Sequence, residues 1–235
     1  FLVTAVAPTG DVVISNGRVL SDTPGPGTDE HTVRFATTRK MSTYLLALAV
    51  GDFDCLEAQS DAVPIRVCAV RGRKPLGQFA LQAAQAFLRF YDAYFAVKYP
   101  FGKLDLVAIP DFEGGMENTA AVFFGERDLL VDERIDSVES QKLVAMTIAH
   151  EIAHQWLGDL VTMTWWDDLW LKEGFATFME TRPVQAWKPE WHAELDEVAS
   201  AEEGMAFDAL ESARPARTKV ATPDEIEEVY DAITY

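Results

Sequence analysis

The chain has 235 residues, of which 38 are acidic and 20 basic, for a net charge of −18; 49% of it is hydrophobic and 25% charged. That balance suits a folded globular chain and excludes wholesale disorder. The acidic excess repels phosphate backbones, so nucleic acid is not an expected partner, and the longest purely apolar run, Leu45–Val50, is far too short for a membrane span.

The first residue is Phe1, and the sequence reads as starting partway through a longer polypeptide, so the remainder of that chain is an expected partner. Short strand patterns cover Leu2–Ala7, Asp11–Ser15 and His31–Thr37, and the Pro/Gly-rich stretch 21–30 between them reads as a loop. Tyr44–Val50 is a continuous apolar run, and Pro64–Val70 returns to β-rich composition. Cys55 and Cys68 are too few for a disulfide scaffold and read as buried thiols, with a mutual bond as the lesser alternative. The period then changes. Phe79, Ala83, Phe87, Phe90 and Tyr94 recur at helical spacing, with Pro100 closing the segment. Lys103–Ile109 and Ala120–Phe124 read as strands, the second after a Gly-Gly pair. A β-rich unit over 1–65 followed by a mixed unit over 66–235 makes the expected fold class α+β.

Ser137 or Ser140 can cap a helix carrying Leu143, Val144, Ile148 and Ile152. The helix is apolar on nearly every side, so it should be buried, yet it carries His150, Glu151 and His154. Charged and imidazole groups are costly inside unless something compensates them. Residues four apart on a helix share a face, so the H-E-x-x-H spacing lets both imidazoles reach one cation. Glu173, on the next helical stretch (about 168–182), supplies a carboxylate. Two histidines and one carboxylate leave a fourth position open, the ligand set of a catalytic zinc site with one Zn2+ per chain. Glu151 projects differently from the histidines and is placed to act as a general base. Glu180, two helical turns beyond Glu173, can accept the other ring proton of a histidine ligand or stand in solvent. His31 and His192 are isolated and read as ordinary polar residues, and the Trp165, Trp166 and Trp170 cluster reads as core packing. Residues 190–235 carry a net charge of −10, which reads as a solvated acidic face.

Gly114-Gly115-Met116-Glu117-Asn118, the HEIAHQWLG run from His150 and LWLKEGF ending at Phe175, in this order and spacing, resemble the zinc aminopeptidases of the aminopeptidase N type; MSTYLLALAVGDF and KLDLVAIPDF are similar to that family too. The resemblance implies that residues 1–65 close an all-β N-terminal domain and that 66–235 form the zinc-bearing part of a thermolysin-like catalytic domain. It implies hydrolysis of the first residue from peptides with a free N-terminus. Glu117 would grip the α-amine, Gly114 and Gly115 would let an edge backbone pair with the substrate, Met116 would line the pocket for the first side chain, and Asn118 would belong to the same substrate-binding run. A tyrosine that stabilises the oxyanion would be Tyr235, or less well Tyr230. Alanine is usual at the position of Gly115; the glycine form is similar to the leukotriene-hydrolase branch, which keeps an epoxide-hydrolase reading open. A non-catalytic zinc- or peptide-binding unit is the alternative from outside the enzymes.

Overall fold

The computed structural model describes every residue from Phe1 to Tyr235. In chain order the early strands are β1 (Thr4–Pro8), β2 (Val12–Ser15), β3 (Val19–Pro24), β4 (Glu30–Phe35) and β5 (Leu48–Gly51). There follow β6 (Phe53–Ser60), β7 (Val63–Val70), α1 (Gln78–Tyr94), β8 (Leu104–Ile109), β9 (Gly115–Met116), β10 (Ala121–Gly125), α2 (Glu126–Leu129), α3 (Val138–His154), α4 (Trp170–Trp187) and α5 (Glu194–Asp208). The chain is thus a mixture of helix and sheet, compatible with the expected α+β class.

Strands β1, β4 and β3 form one antiparallel sheet, and β2 pairs with β5 in a ribbon. The main sheet has the order β6-β7-β8-β10-β9, with β7, β8 and β10 parallel and the two outer strands antiparallel to their neighbours. A parallel neighbour cannot be reached by a tight turn, and α1 makes the crossover from β7 to β8. The pleat sends alternate residues to opposite faces. Ile65, Val67, Leu104, Leu106, Val122 and Phe124 face α1, α3 and α4 in the larger core. Cys68, Val107 and Ala121 face the other way, against Ile14, Ala49 and Phe53. Strand β8, buried along most of its length, is therefore apolar at every position except Asp105.

Several sequence expectations give way here. Cys55 sits in the strand-like stretch expected of it, but the bounds of β6 are not legible, because its polar Asp54, Glu57 and Gln59 mask the pattern of an outer strand. β3 occupies much of the stretch read as a loop; it is an exposed edge without apolar alternation, so only Gly25–Asp29 remain as connection. The apolar run 44–50 is split into a turn at Thr43–Leu45 and β5. Cys55 and Cys68 face one another in the β6–β7 register with Cα atoms 4.1 Å apart, and they are joined as a disulfide rather than held as thiols. Residue 65, the expected unit boundary, lies inside the continuous strand β7; the change of sheet comes at Gly51–Phe53. Two of the tryptophans are not core, Trp165 being 52% exposed and Trp170 37%, whereas Trp166 is half-buried against Leu169, Val220 and Val229.

Helix α4 runs past its expected end, through Pro183. Proline has no N–H to give the carbonyl four residues back. That carbonyl belongs to Met179, and the buried Tyr91 hydroxyl lies 3.3 Å from it while donating to the Ala149 carbonyl at 2.9 Å. A side chain of α1 thus serves both helices of the site.

Candidate active site

The Ser137 hydroxyl accepts the Ser140 N–H at 3.1 Å and starts α3, which ends at His154. Helical spacing brings His150 and His154 together with Nε2 atoms 3.1 Å apart. Packed against α3, α4 places Glu173 Oε2 3.4 Å from His150 Nε2 and 3.1 Å from His154 Nε2. The outer ring nitrogens are engaged: His150 Nδ1 lies 2.9 Å from Glu180 Oε2, and His154 Nδ1 lies 3.1 Å from the Leu157 carbonyl. Protons committed outward leave both Nε2 lone pairs facing one another and a carboxylate. Three acceptors converging in a buried space repel unless a cation or proton lies among them. Two nitrogens and one oxygen form the donor set of a zinc centre with an open position, so the residues fit the metal.

The same demand for positive charge appears in the titration of the group. Burial works against a charged imidazole, yet hydrogen bonds to Glu173 and Glu180 push His150 up to about 10. Burial also opposes the Glu173 charge, and the two histidines with Lys172 hold its carboxyl far below the usual range. Glu151 behaves oppositely. Burial pushes its carboxyl up to about 7 against the pull of His150 and His154, and its Oε2 has no hydrogen-bond partner.

Glu151, Glu117 and His154 each offer an atom within 4.8 Å of the others. Glu117 is carried by the loop between β9 and β10, and side chains from distant elements hold that loop. Gln155, the residue after the second histidine, donates to the Glu117 carbonyl at 3.0 Å and accepts the Ala120 N–H at 2.9 Å. Asn16 donates to the Thr119 carbonyl at 2.8 Å. Ala120 takes a positive φ of 62° in this turn. Gly115 lies so close to α3 that a Cβ there would stand 2.4 Å from Glu151 Oε1, so glycine is what leaves room for that carboxylate.

A cleft of about 490 Å3 unites these groups. It is lined by Gly115, Met116, Glu117, His150, Glu151, His154, Glu173 and Tyr235 of the expected set. Gly114 (φ +69°) lies at its margin with its N–H on Asp128, and Asn118 is buried behind it. Tyr235 is tilted against His150 at 5.9 Å between ring centroids, and Tyr230 also faces the cleft.

Sequence reasoning missed Tyr44 and Trp166, whose rings meet 5.1 Å apart on the opposite wall. No local pattern marks them, since they join only in the fold. It also gave no role to Lys172, whose ammonium donates to Glu117 Oε1 at 2.6 Å and Glu173 Oε1 at 2.5 Å. Its signal was available: a lysine next to a predicted metal ligand needs a carboxylate partner if it shares that ligand's burial.

A family model described as Peptidase family M1 domain matches residues 79–235. The puromycin-sensitive aminopeptidase of Caenorhabditis elegans is 46% identical over 228 residues, covering 94% of this chain and 24% of that protein. The probable aminopeptidase 2 of Sulfurisphaera tokodaii is 44% identical, covering 88% and 27%, and aminopeptidase M1-A of Oryza sativa subsp. japonica is 41% identical, covering 100% and 27%. The chain spans about a quarter of the length of these relatives. With the family match extending over α1 to Tyr235 and including both histidines, Glu173 and Glu117, the chain belongs to peptidase family M1.

Proposed function

We propose that this chain carries the metal centre and amine subsite of a zinc-dependent aminopeptidase, which removes the first residue of peptides bearing a free N-terminus. The observation that carries this reading is the convergence of His150, His154 and Glu173 in one cleft with a second, separate carboxylate, Glu117. Residues up to Gly51 then close an N-terminal β-unit, and those from Phe53 onward begin a thermolysin-like catalytic unit.

His150, His154 and Glu173 would hold the zinc, which when bound acts as a Lewis acid and brings the pKa of its water to about 7. Glu151 accepts the proton of the attacking water and returns it to the leaving amine. Glu117 binds the α-ammonium through a charge-assisted hydrogen bond. The open side of β9 offers Gly115–Met116 backbone to an extended substrate, as in strand addition. The Tyr235 hydroxyl, whose proton burial holds firmly, donates to the developing oxyanion.

The Glu151→Gln variant tests this. It is expected to retain stoichiometric zinc and to lose about 10^2–10^4-fold in turnover of an aminoacyl p-nitroanilide. Near-normal turnover would remove Glu151 as the base. Zinc without turnover in the unmodified protein would favour a binding unit.

A further inference from the structure

The carboxylate assigned to the substrate's ammonium already holds an ammonium. Lys172 is 2% exposed, and its Nζ lies 2.6 Å from Glu117 Oε1. Its other contact is Glu173 Oε1 at 2.5 Å, whereas the histidines face Glu173 Oε2. The two oxygens of Glu173 thus serve two cations, and filling the metal centre does not require Lys172 to leave. The Tyr44 ring covers Nζ at 5.6 Å from its centroid. The ammonium is thus enclosed by two carboxylates and an aromatic ring.

We propose that Lys172 is the resident cation of the amine subsite: it shares Glu117 with the incoming α-ammonium and so sets how strongly a free N-terminus is preferred over a blocked or absent amine. The inference rests on the aminopeptidase reading above. Glu117 has one oxygen committed to Lys172 and the other left for substrate, which places the two cations within one carboxylate's width. Like charges at that separation in a protein site weaken each other's binding by at least about tenfold. Lys172 does not react; it is a specificity-determining residue acting through the carboxylate it shares.

The test uses the full-length zinc-loaded protein and two probes, leucine hydroxamate and the same hydroxamate lacking the amino group. Calorimetry gives the ratio of their dissociation constants, which isolates the contribution of the amine. Lys172→Asn and Lys172→Met are expected to raise that ratio in favour of the amine-bearing probe by about tenfold or more, with zinc stoichiometry unchanged. Lys172→Arg, which keeps the charge, is expected to stay within about threefold of the unmodified ratio. A purely structural lysine would weaken both probes together, and an unchanged or smaller ratio in a folded neutral variant overturns the proposal. If neither neutral variant folds, a tenfold departure in Lys172→Arg overturns it instead. The underlying reading is judged separately by hydrolysis of leucine p-nitroanilide. An active unmodified enzyme with an unchanged ratio in Lys172→Asn sinks the role of Lys172 alone; no hydrolysis and no amine preference in any variant sinks both.

Discussion

In the middle of the main sheet, Asp105 is 1% exposed and accepts from Lys103 at 2.6 Å and from Arg66 Nε and Nη2 at 2.8 and 2.7 Å. Lys103 also donates to the Ala120 carbonyl. In the cleft, Glu173 is 3% exposed and faces two imidazole nitrogens whose protons point away. Both regions bury a carboxylate among nitrogen groups. In the sheet each carboxylate oxygen meets a donor, whereas in the cleft three acceptors meet one another. The difference separates a charge cluster that holds a fold from one arranged around a cation.

Replacing one member should therefore have opposite consequences in the two places. His154→Ala is expected to abolish zinc binding, and activity with it, while the protein still folds; elemental analysis of the purified variant decides, and retained stoichiometric zinc would reveal another ligand set. Asp105→Asn is expected to destabilise by about 3–5 kcal/mol in denaturant unfolding, because it leaves a buried ammonium without its counter-charge. Zinc content per folded molecule should not change.

Acid sharpens the same contrast. Burial opposes the Asp105 charge, but Lys103 and Arg66 outweigh it and hold the carboxyl below its usual 3.8. A depressed folded pKa contributes stability above the unfolded value, and that stability is lost as pH falls through the folded one. Unfolding curves below about pH 4 should thus be steeper in the unmodified protein than in Asp105→Asn. Equal slopes would place the acid sensitivity elsewhere.

The next effect is smaller. Glu180→Gln removes the carboxylate that orients His150, and zinc affinity is expected to fall by about 10–100-fold in chelator competition. The smallest concerns Gly115→Ala. Its new Cβ meets the flexible end of Glu151 rather than backbone, so the carboxylate is pushed aside without disturbing the ligands. Turnover should fall by less than about tenfold at constant zinc content, well short of the loss in Glu151→Gln.

The contrast also explains what could be read from the chain alone. The two histidines lie on one helix at fixed spacing, so His150 and His154 are legible from helical geometry, and Glu173 from the following helix. The run 114–118 was legible as a resemblance. By contrast Tyr44 reaches Trp166, and Cys55 reaches Cys68, through pairings that only tertiary structure or sheet register creates. The extent of β6 escaped because an outer strand exposes polar side chains without a clean alternation. Lys172 was visible as a residue but not as an interaction, since its partner Glu117 lies 55 residues away.

The hydrogen bond from Asn16 to the Thr119 carbonyl closes across 103 residues. Contacts so remote in sequence must first overcome the entropy of a very large loop, so they form slowly. The two imidazoles of His150 and His154 need only one helical turn to align. Assembly is thereby staggered: the histidine end of the cleft can take shape with α3, while the Glu117 end waits for the earliest strands to dock.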